Sequence, residues 1–226
     1  MNYNIKIFMK IKQYLEENKE NYKQWIEMND QGRIELKILP YLKDIENGVF
    51  LECGAYDGIF QSNTKILEEL GWTGLLIEPS PSSYKLCIEN RSCIVENCAL
   101  VSFDYNKDTI SGNFNGSPRS SVFGDGVDVP VKTLSNLLEK HKISHVDIFF
   151  LDVEGYEMEV LNGIDFNSVN FVYILIEVNS EFYSLDDLEK FMRTKGYENI
   201  GNISNFTFDN SPRWPGNHQD YLFKKI

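Results

Sequence analysis

Short apolar runs alternate with amphipathic stretches along the chain from residue 48 onward. Runs that end at glycine, proline or a charged residue predict buried strands, and apolar residues three or four apart predict helices. This alternation predicts an α/β fold on a mostly parallel, doubly wound sheet, closed by an antiparallel pair of strands. The predicted strands cover residues 49–53, 74–78, 92–95, 99–103, 127–131, 146–151, 171–176, 197–203 and 220–224. The predicted helices between them cover residues 62–70, 80–90, 133–140 and 184–195.

Residues 1–47 differ from the rest of the chain in pattern and in charge. Apolar residues fall near one face over residues 4–29, and a second, shorter helix is predicted over residues 34–44. Basic and acidic residues balance in this region, so residues 48–226 account for the whole net charge of −12. We therefore expect an N-terminal helical extension (1–47) that packs on a catalytic domain (48–226). The same helices could instead bind a partner or join two copies into a homo-oligomer.

Composition narrows the expected partners and compartment. An acidic body repels phosphate backbones, so we expect no nucleic-acid partner. No apolar run reaches the length of a membrane span or resembles a cleavable signal, so we expect no membrane insertion. The four cysteines form no CxxC pair and only three histidines accompany them. This composition favours free thiols in a reducing cytoplasm over a zinc site.

The residues with candidate chemistry lie where predicted strands end. Apolar runs lead directly into Glu52, Glu78, Asp152 and Glu177. In an open α/β sheet the ligand binds outside the carboxyl ends of the strands, so these acids are expected to converge on one crevice. A carboxylate at a buried strand end needs a partner, which could be a ligand hydroxyl, a backbone amide or a cation.

A glycine turn follows the first of these strands. Gly54 and Gly58 would let the backbone approach a ligand closely, although the turn does not complete a GxGxxG pattern. Glu78 follows the second strand, where a carboxylate can accept hydrogen bonds from ribose hydroxyls. The combination indicates a nucleoside ligand, and a nicotinamide cofactor and S-adenosylmethionine would fit it equally well.

A further acidic segment follows the most apolar predicted strand. Asp152 and Glu154 lie there two residues apart, and Glu177 and His218 are expected near the same rim. A carboxylate or imidazole in this place could take the proton from an acceptor hydroxyl, so these four residues are the candidate catalytic groups. The clustered carboxylates could also hold Mg²⁺, but the sequence alone assigns no metal ligand.

In order and spacing, these motifs resemble the FkbM-type methyltransferases, a branch of the class I S-adenosylmethionine-dependent enzymes. The resemblance extends from about residue 48 to the C-terminus. It departs from the family pattern at Glu52, where Asp is usual, and at Tyr56, where Asn is frequent. The segments that carry the resemblance are residues 50–58, 62–64, 71–74, 77–79, 129–134, 151–157 and 161–163.

The resemblance implies a Rossmann-like sheet of seven strands whose last strand is antiparallel. It also implies S-adenosylmethionine as cofactor, with the glycine turn at its methionine end and Glu78 at its ribose. Cys98 and Ala99 would lie beside the adenine, and Asp152 near the reacting methyl group. The full set of implied cofactor contacts is Glu52, Gly54, Ala55, Asp57, Gly58, Ser62, Asn63, Glu78, Pro79, Cys98, Ala99 and Asp152.

The expected function is O-methylation of a hydroxyl on a sugar, a glycan or a related small molecule. Two alternatives share the predicted nucleoside site. A nicotinamide-dependent oxidoreductase would need a fuller glycine fingerprint and a Tyr–Lys or similar proton relay, which the sequence does not offer. A non-catalytic nucleoside-binding module with the same fold would bind the ligand without turnover.

Overall fold

The structure of the chain is a computed structural model. It does not describe residues 1–33, so the helix expected over residues 4–29 lies outside the described residues. The structure describes residues 34–117, 119–124, 126–211 and 214–226. Their helices are α1 (Ile34–Leu42), α2 (Lys65–Glu69), α3 (Pro81–Asn90), α4 (Leu134–Lys140), α5 (Glu157–Leu161) and α6 (Leu185–Thr194). Their strands are β1 (Val49–Cys53), β2 (Thr73–Ile77), β3 (Ile94–Glu96), β4 (Ala99–Leu100), β5 (Thr109–Gly112), β6 (Val127–Lys132), β7 (His145–Leu151), β8 (Asn170–Asn179), β9 (Tyr197–Asn202) and β10 (His218–Lys225).

Seven strands form the main sheet, in the order β3-β2-β1-β7-β8-β10-β9. Strand β10 is antiparallel to β8 and β9, and the pairs that join β3, β2, β1, β7 and β8 are parallel. This arrangement confirms the predicted seven-stranded Rossmann-like sheet with an antiparallel last strand. The strand order reverses between β1 and β7, which is where such sheets bind their ligands.

Apolar side chains cover both faces of the main sheet. On one face, Phe149 and Phe171 pack with buried residues of α4 and α6. On the other face, Ile38 and Leu42 of α1 join Phe50 and its neighbours in a second buried cluster. Helix α1 thus packs on the sheet. Because both faces are covered, most residues of the central strands are apolar. The division into an extension (1–47) and a catalytic domain (48–226) stays a prediction.

A small three-stranded sheet, in the order β4-β6-β5, forms a second set of paired strands. Strand β5 is not among the strands predicted from the sequence; it lies between the predicted strands 99–103 and 127–131 and pairs antiparallel with β6. The hydrophobic pattern does not predict this strand, because Thr109 and Ser111 are polar and exposed. Phe114, just beyond β5, is buried and packs with Val129 of β6.

Several predicted boundaries are also wrong; for example, the strand expected over residues 99–103 ends at Leu100, and the strand expected over residues 92–95 runs from Ile94 to Glu96. The helix expected from Ser62 begins only at Lys65, because the Ser62 hydroxyl is turned towards Glu52 and the chain needs two more residues to enter the helix. The strand expected to end before Glu177 continues to Asn179, because β10 pairs with β8 as far as that residue. Among the described residues, no helix is long and apolar enough to cross a membrane.

Candidate functional site

A cavity lies at the carboxyl ends of β1, β2 and β7, beside the reversal of the strand order. Gly54, Glu78 and Asp152 all line it, so the structure brings together the three strand ends that the sequence predicted to converge. Its walls combine apolar side chains with serine hydroxyls and carboxylates. The other lining residues are Cys53, Tyr56, Ile77, Pro79, Cys98, Ala99, Leu100, Phe114, Ser117, Ser120, Ser121, Val122, Val153, Glu154, Tyr156 and Val160.

Gly54 allows β1 to end directly against the end of β7. Its φ of +87° lies in the left-handed region, and a Cβ atom at this position would lie 2.0 Å from the backbone oxygen of Asp152. Its N–H donates to the carbonyl of Ile77 at the end of β2, at 3.1 Å. A residue without a side chain is therefore required where the three strands meet.

Glu78 forms a fixed acidic wall of the cavity. Its Oε2 accepts a hydrogen bond from the N–H of Tyr56 at 2.7 Å, and its Oε1 accepts one from the N–H of Ser80 at 2.8 Å. Burial outweighs these two bonds and raises the pKa of the Glu78 carboxyl to about 7. Each carboxylate oxygen can accept more than one hydrogen bond, so Glu78 keeps capacity for a ligand hydroxyl.

Glu52 does not line the cavity and has a structural role. Its carboxylate is buried and accepts hydrogen bonds from the Ser62 and Thr64 hydroxyls and from the N–H of Asn63. The buried Arg91 guanidinium lies 3.8 Å from the same carboxylate and also bonds Ser62 and Thr64. These contacts hold the segment between β1 and α2 against α3.

Six residues predicted to contact a cofactor do not line the cavity, so those contacts stay predictions. Asp57 uses Oδ1 to accept the N–H groups of Ile59 and Phe60, which closes the glycine turn. Gly58 packs against Arg91, where a Cβ atom would lie 2.6 Å from the Arg91 Cγ. The six residues are Glu52, Ala55, Asp57, Gly58, Ser62 and Asn63.

The candidate catalytic residues gather at the Asp152 end of the cavity. Carboxylate oxygens of Asp152, Glu157 and Glu177 lie within 4.8 Å of one another. The Nε2 of His218 lies 3.9 Å from Oε1 of Glu177, and Glu154 lines the cavity beside Asp152. The structure therefore brings Asp152, Glu154, Glu177 and His218 into one region.

Burial and mutual repulsion alter the acid–base behaviour of these groups. The Asp152 side chain is exposed and lines the cavity, yet the protein around it and the neighbouring Glu154 carboxylate raise its pKa well above the ordinary value. Burial likewise raises the pKa of Glu177, which Asp152 reinforces, and the pKa of Glu154, which Arg119 partly offsets. Burial, reinforced by the positive charge of Arg119, lowers the pKa of His218.

Sequence reasoning missed several individual residues of the site. Phe114 and Ser117, in the loop after β5, line the cavity, although no motif marks either of them as a ligand contact. The position of Glu157 at the start of a helix predicts a charge that complements the helix dipole. Its Oε1 indeed accepts the N–H groups of Val153 and Gly155 just before α5, yet the side chain is fully buried and joins the acidic cluster. The sequence feature that could have indicated the burial of this acid is that apolar residues flank it.

A comparison with known protein families identifies the family of this chain. The model of the methyltransferase FkbM domain matches residues 52–198. The chain belongs to the FkbM methyltransferase family. It is accordingly an S-adenosylmethionine-dependent methyltransferase, and the resemblance found in the sequence is confirmed.

Solved structures support the fold of this FkbM domain. A TehB-like SAM-dependent methyltransferase from Corynebacterium glutamicum is 15% identical, with a TM-score of 0.51 over 92% of this chain and 97% of that chain. Fibrillarin from Aeropyrum pernix, solved with natively bound S-adenosyl-L-methionine, is 15% identical, with a TM-score of 0.50 over 86% of this chain and 74% of that chain. At such identities the likeness shows a shared fold alone. A comparison with curated protein sequences finds no match.

The cavity of the FkbM domain fits the chemistry of S-adenosylmethionine. Ile77, Leu100 and Val160 provide apolar walls of the kind that holds a flat base, and Glu78 provides the acceptor that a ribose needs. Asp152 and Glu154 lie in the same cavity, where a carboxylate favours a positively charged ligand. The lining thus suits a cationic nucleoside.

Proposed function

We propose that this FkbM methyltransferase transfers a methyl group to a hydroxyl of a sugar, a glycan or a related small molecule. The observation that carries the proposal is the cluster of groups able to accept a proton around Asp152, which lines the cavity. A hydroxyl acceptor must lose its proton during methylation, whereas a thiolate or other anionic acceptor needs no such group. An acceptor hydroxyl near Asp152 would meet several proton acceptors.

In this proposal the cavity holds the cofactor through a few directional contacts. Glu78 accepts the ribose hydroxyls, Cys98 and Ala99 flank the adenine, and the backbone around Gly54 faces the methionine end. When bound, S-adenosylmethionine supplies a methyl group already activated by its sulfonium. The protein is left with two tasks, which are to align the acceptor oxygen and to remove its proton.

We assign the proton-accepting role to Glu154. Its side chain lines the cavity, and burial raises the pKa of its carboxyl above the ordinary value, which makes the carboxylate a stronger proton acceptor. Glu154 holds a left-handed backbone conformation, with φ +57°, and the next residue, Gly155, is also left-handed. Such strain in a non-glycine residue is common where a side chain must be aimed at a ligand.

Aromatic and hydroxyl side chains at the cavity favour a carbohydrate-like acceptor. Phe123 stacks on Phe182 with ring centroids 4.6 Å apart, and both rings are partly exposed next to Tyr156. Ser117 and Ser120 add hydroxyl groups from the same loop. Flat apolar faces beside hydrogen-bonding groups match the mixed surface of a sugar. The net charge of −12 argues against a nucleic acid, and we expect the reaction in the cytoplasm.

Calorimetric titration with S-adenosylmethionine tests the cofactor site. Glu78→Ala is expected to weaken binding by about 1.5–3 kcal/mol, which is about a ten- to hundredfold rise in Kd. The exposed Glu181→Ala variant, which also removes one negative charge, should bind as the wild type does. Equal binding by both variants would contradict the assignment of Glu78 to the ribose.

Mass spectrometry of an acceptor panel tests the reaction. The chain is incubated with S-adenosylmethionine labelled in its methyl group, together with monosaccharides, oligosaccharides, amines and RNA. The proposal predicts labelled methyl ethers on hydroxyl acceptors and little product from Glu154→Gln. Label that appears only on amines or on RNA would overturn it, and so would bound cofactor without turnover on any acceptor.

A further inference from the structure

The acidic cluster behind Asp152 contains a buried oxygen without a partner. Glu177 is only 8% exposed, and among the described residues its Oε2 has no hydrogen-bond partner. Carboxylate oxygens of Glu177, Asp152 and Glu157 lie within 4.8 Å of one another. A buried polar atom without a partner lowers the stability of the fold by about 1–3 kcal/mol. We therefore expect a ligand that binds to this carboxylate oxygen.

Nothing among the described residues balances the charge of this cluster at Glu177. No described donor forms a hydrogen bond with its Oε2. Neighbouring charges do not help, because the strongest electrostatic neighbours of Asp152 and of Glu177 are other acids. Nε2 of His218 lies 3.9 Å from Oε1 of Glu177, which is beyond hydrogen-bond distance.

The three carboxylates retain the capacity to bind a cation. Oε1 of Glu157 accepts two backbone N–H groups, and its Oε2 lies 3.1 Å from the Tyr183 hydroxyl, so Oε2 keeps a free lone pair. Asp152 is exposed to the cavity and Glu177 has its unpaired oxygen. Oxygens opposite each other around Mg²⁺ or Ca²⁺ lie about 4–5 Å apart, which matches the spread of this cluster.

We propose that Asp152, Glu157 and Glu177 bind one divalent cation of the hard, oxygen-seeking class, such as Mg²⁺ or Mn²⁺. A ligand set made only of carboxylate oxygens selects this class over zinc or copper. Because Asp152 faces the cavity, coordination positions on that side stay open to water or to acceptor hydroxyls. The site would then orient a hydroxylated acceptor while Glu154, which is outside the cluster, remains available as the base. This last role rests on the proposed function, whereas cation binding does not.

Titration with MnCl₂, followed by the electron paramagnetic resonance signal of free Mn²⁺, tests the proposal. The full chain is titrated after EDTA treatment and dialysis, without cofactor or acceptor, so that only the cation site is measured. We expect saturable binding of one Mn²⁺ per chain. Glu177→Gln should weaken it at least about tenfold, whereas Glu181→Gln, an exposed residue near the end of the same strand, should leave it unchanged.

Two results would overturn the proposal. One is a free Mn²⁺ signal that rises in proportion to added metal into the millimolar range. The other is binding by Glu177→Gln equal to that of the wild type. If Glu177→Gln does not fold, as judged by circular dichroism, Asp152→Asn decides instead, because this side chain is exposed and should also lose Mn²⁺ binding. A chain that binds S-adenosylmethionine but no Mn²⁺ refutes this inference alone, and the reverse pattern refutes the cofactor site alone.

Discussion

Gly54 and Asp152 meet where strands β1 and β7 end, so closely that a Cβ atom on Gly54 would lie 2.0 Å from the backbone oxygen of Asp152. Gly54→Ala should therefore separate the two strand ends, lower the free energy of unfolding and weaken S-adenosylmethionine binding. Gly71→Ala is the matched control, because Gly71 has a similar φ of +93° but a Cβ atom on it would meet none of the described residues within 4 Å.

Urea denaturation of both variants separates backbone strain from steric overlap. Gly71→Ala should cost about 1–3 kcal/mol, which is the usual cost of a left-handed non-glycine residue. Gly54→Ala should cost clearly more, and it alone should reduce cofactor affinity in calorimetry. Equal losses of stability in the two variants would show that the contact between Gly54 and Asp152 is unimportant.

The buried carboxyl of Glu78 should make stability depend on pH. Burial raises the pKa of Glu78 from the ordinary 4.5 to about 7, so between these values the folded chain holds a proton that the unfolded chain has released. Stability contributed by this group is therefore present at low pH and lost as pH rises through the window. Glu78→Gln does not titrate, so its stability relative to the wild type should rise by up to about 3 kcal/mol from about pH 4 to about pH 8.

Denaturant unfolding without cofactor, across this pH range, measures the effect. The exposed Glu181→Gln variant provides the comparison for an acid outside the protein interior. Its stability relative to the wild type should change little over the same range. A parallel pH dependence for wild type and Glu78→Gln would mean that the Glu78 carboxyl titrates normally.

Among the charged residues packed next to the cavity, we expect Arg91 to cause the largest loss of stability when it is replaced. Its side chain is fully buried, lies close to the carboxylates of Glu52 and Glu68, and donates to the carbonyl oxygen of Gly58. Arg91→Met leaves the buried Glu52 without its cation and should lower the free energy of unfolding by about 3–5 kcal/mol. The double variant Arg91→Met/Glu52→Gln should recover part of this loss in urea titrations; additive losses would contradict the coupling.

The stacked pair Phe123–Phe182 should hold the loop after β5 over the cavity. Their ring centroids lie 4.6 Å apart, and such a pair contributes about 0.5–1.5 kcal/mol beyond area burial. Phe123→Ala should therefore speed amide hydrogen exchange in residues 113–124 about twofold to tenfold. Phe103→Ala removes another exposed ring and should leave this exchange unchanged. Unaltered exchange in Phe123→Ala would show that the stack does not restrain the loop.

The fold was readable from the sequence because its central strands are buried on both faces. Apolar runs such as residues 146–151 permit few other interpretations, and the serines and threonines at positions 80, 133 and 184 cap their helices as typical N-caps do. Strand β5 was not readable, because its pairing with β6 depends on backbone hydrogen bonds between residues with little apolar character. Local pattern does not record such tertiary pairing.

The cavity was only partly readable for a related reason. Gly54, Glu78 and Asp152 follow apolar strands, so topology alone brings them together. Glu52 follows the same rule, yet its carboxylate is used by Ser62, Thr64 and Arg91. Whether a strand-end acid faces the ligand or the helices behind it depends on which face of the pleated strand it occupies. That choice is fixed by distant partners such as Arg91, which are not adjacent in sequence.

Hydrogen exchange with and without S-adenosylmethionine tests the central claim most directly, since it locates the cofactor without any substitution. The claim is that the carboxyl ends of β1, β2 and β7 form one nucleoside site. We predict slower exchange on cofactor addition in three separate segments, at residues 54–58, 78–80 and 152–155, which meet only in the folded cavity. Slowing confined to another region, such as the opposite end of the sheet around Trp72 and Ser144, or no slowing at saturating cofactor, would contradict the account.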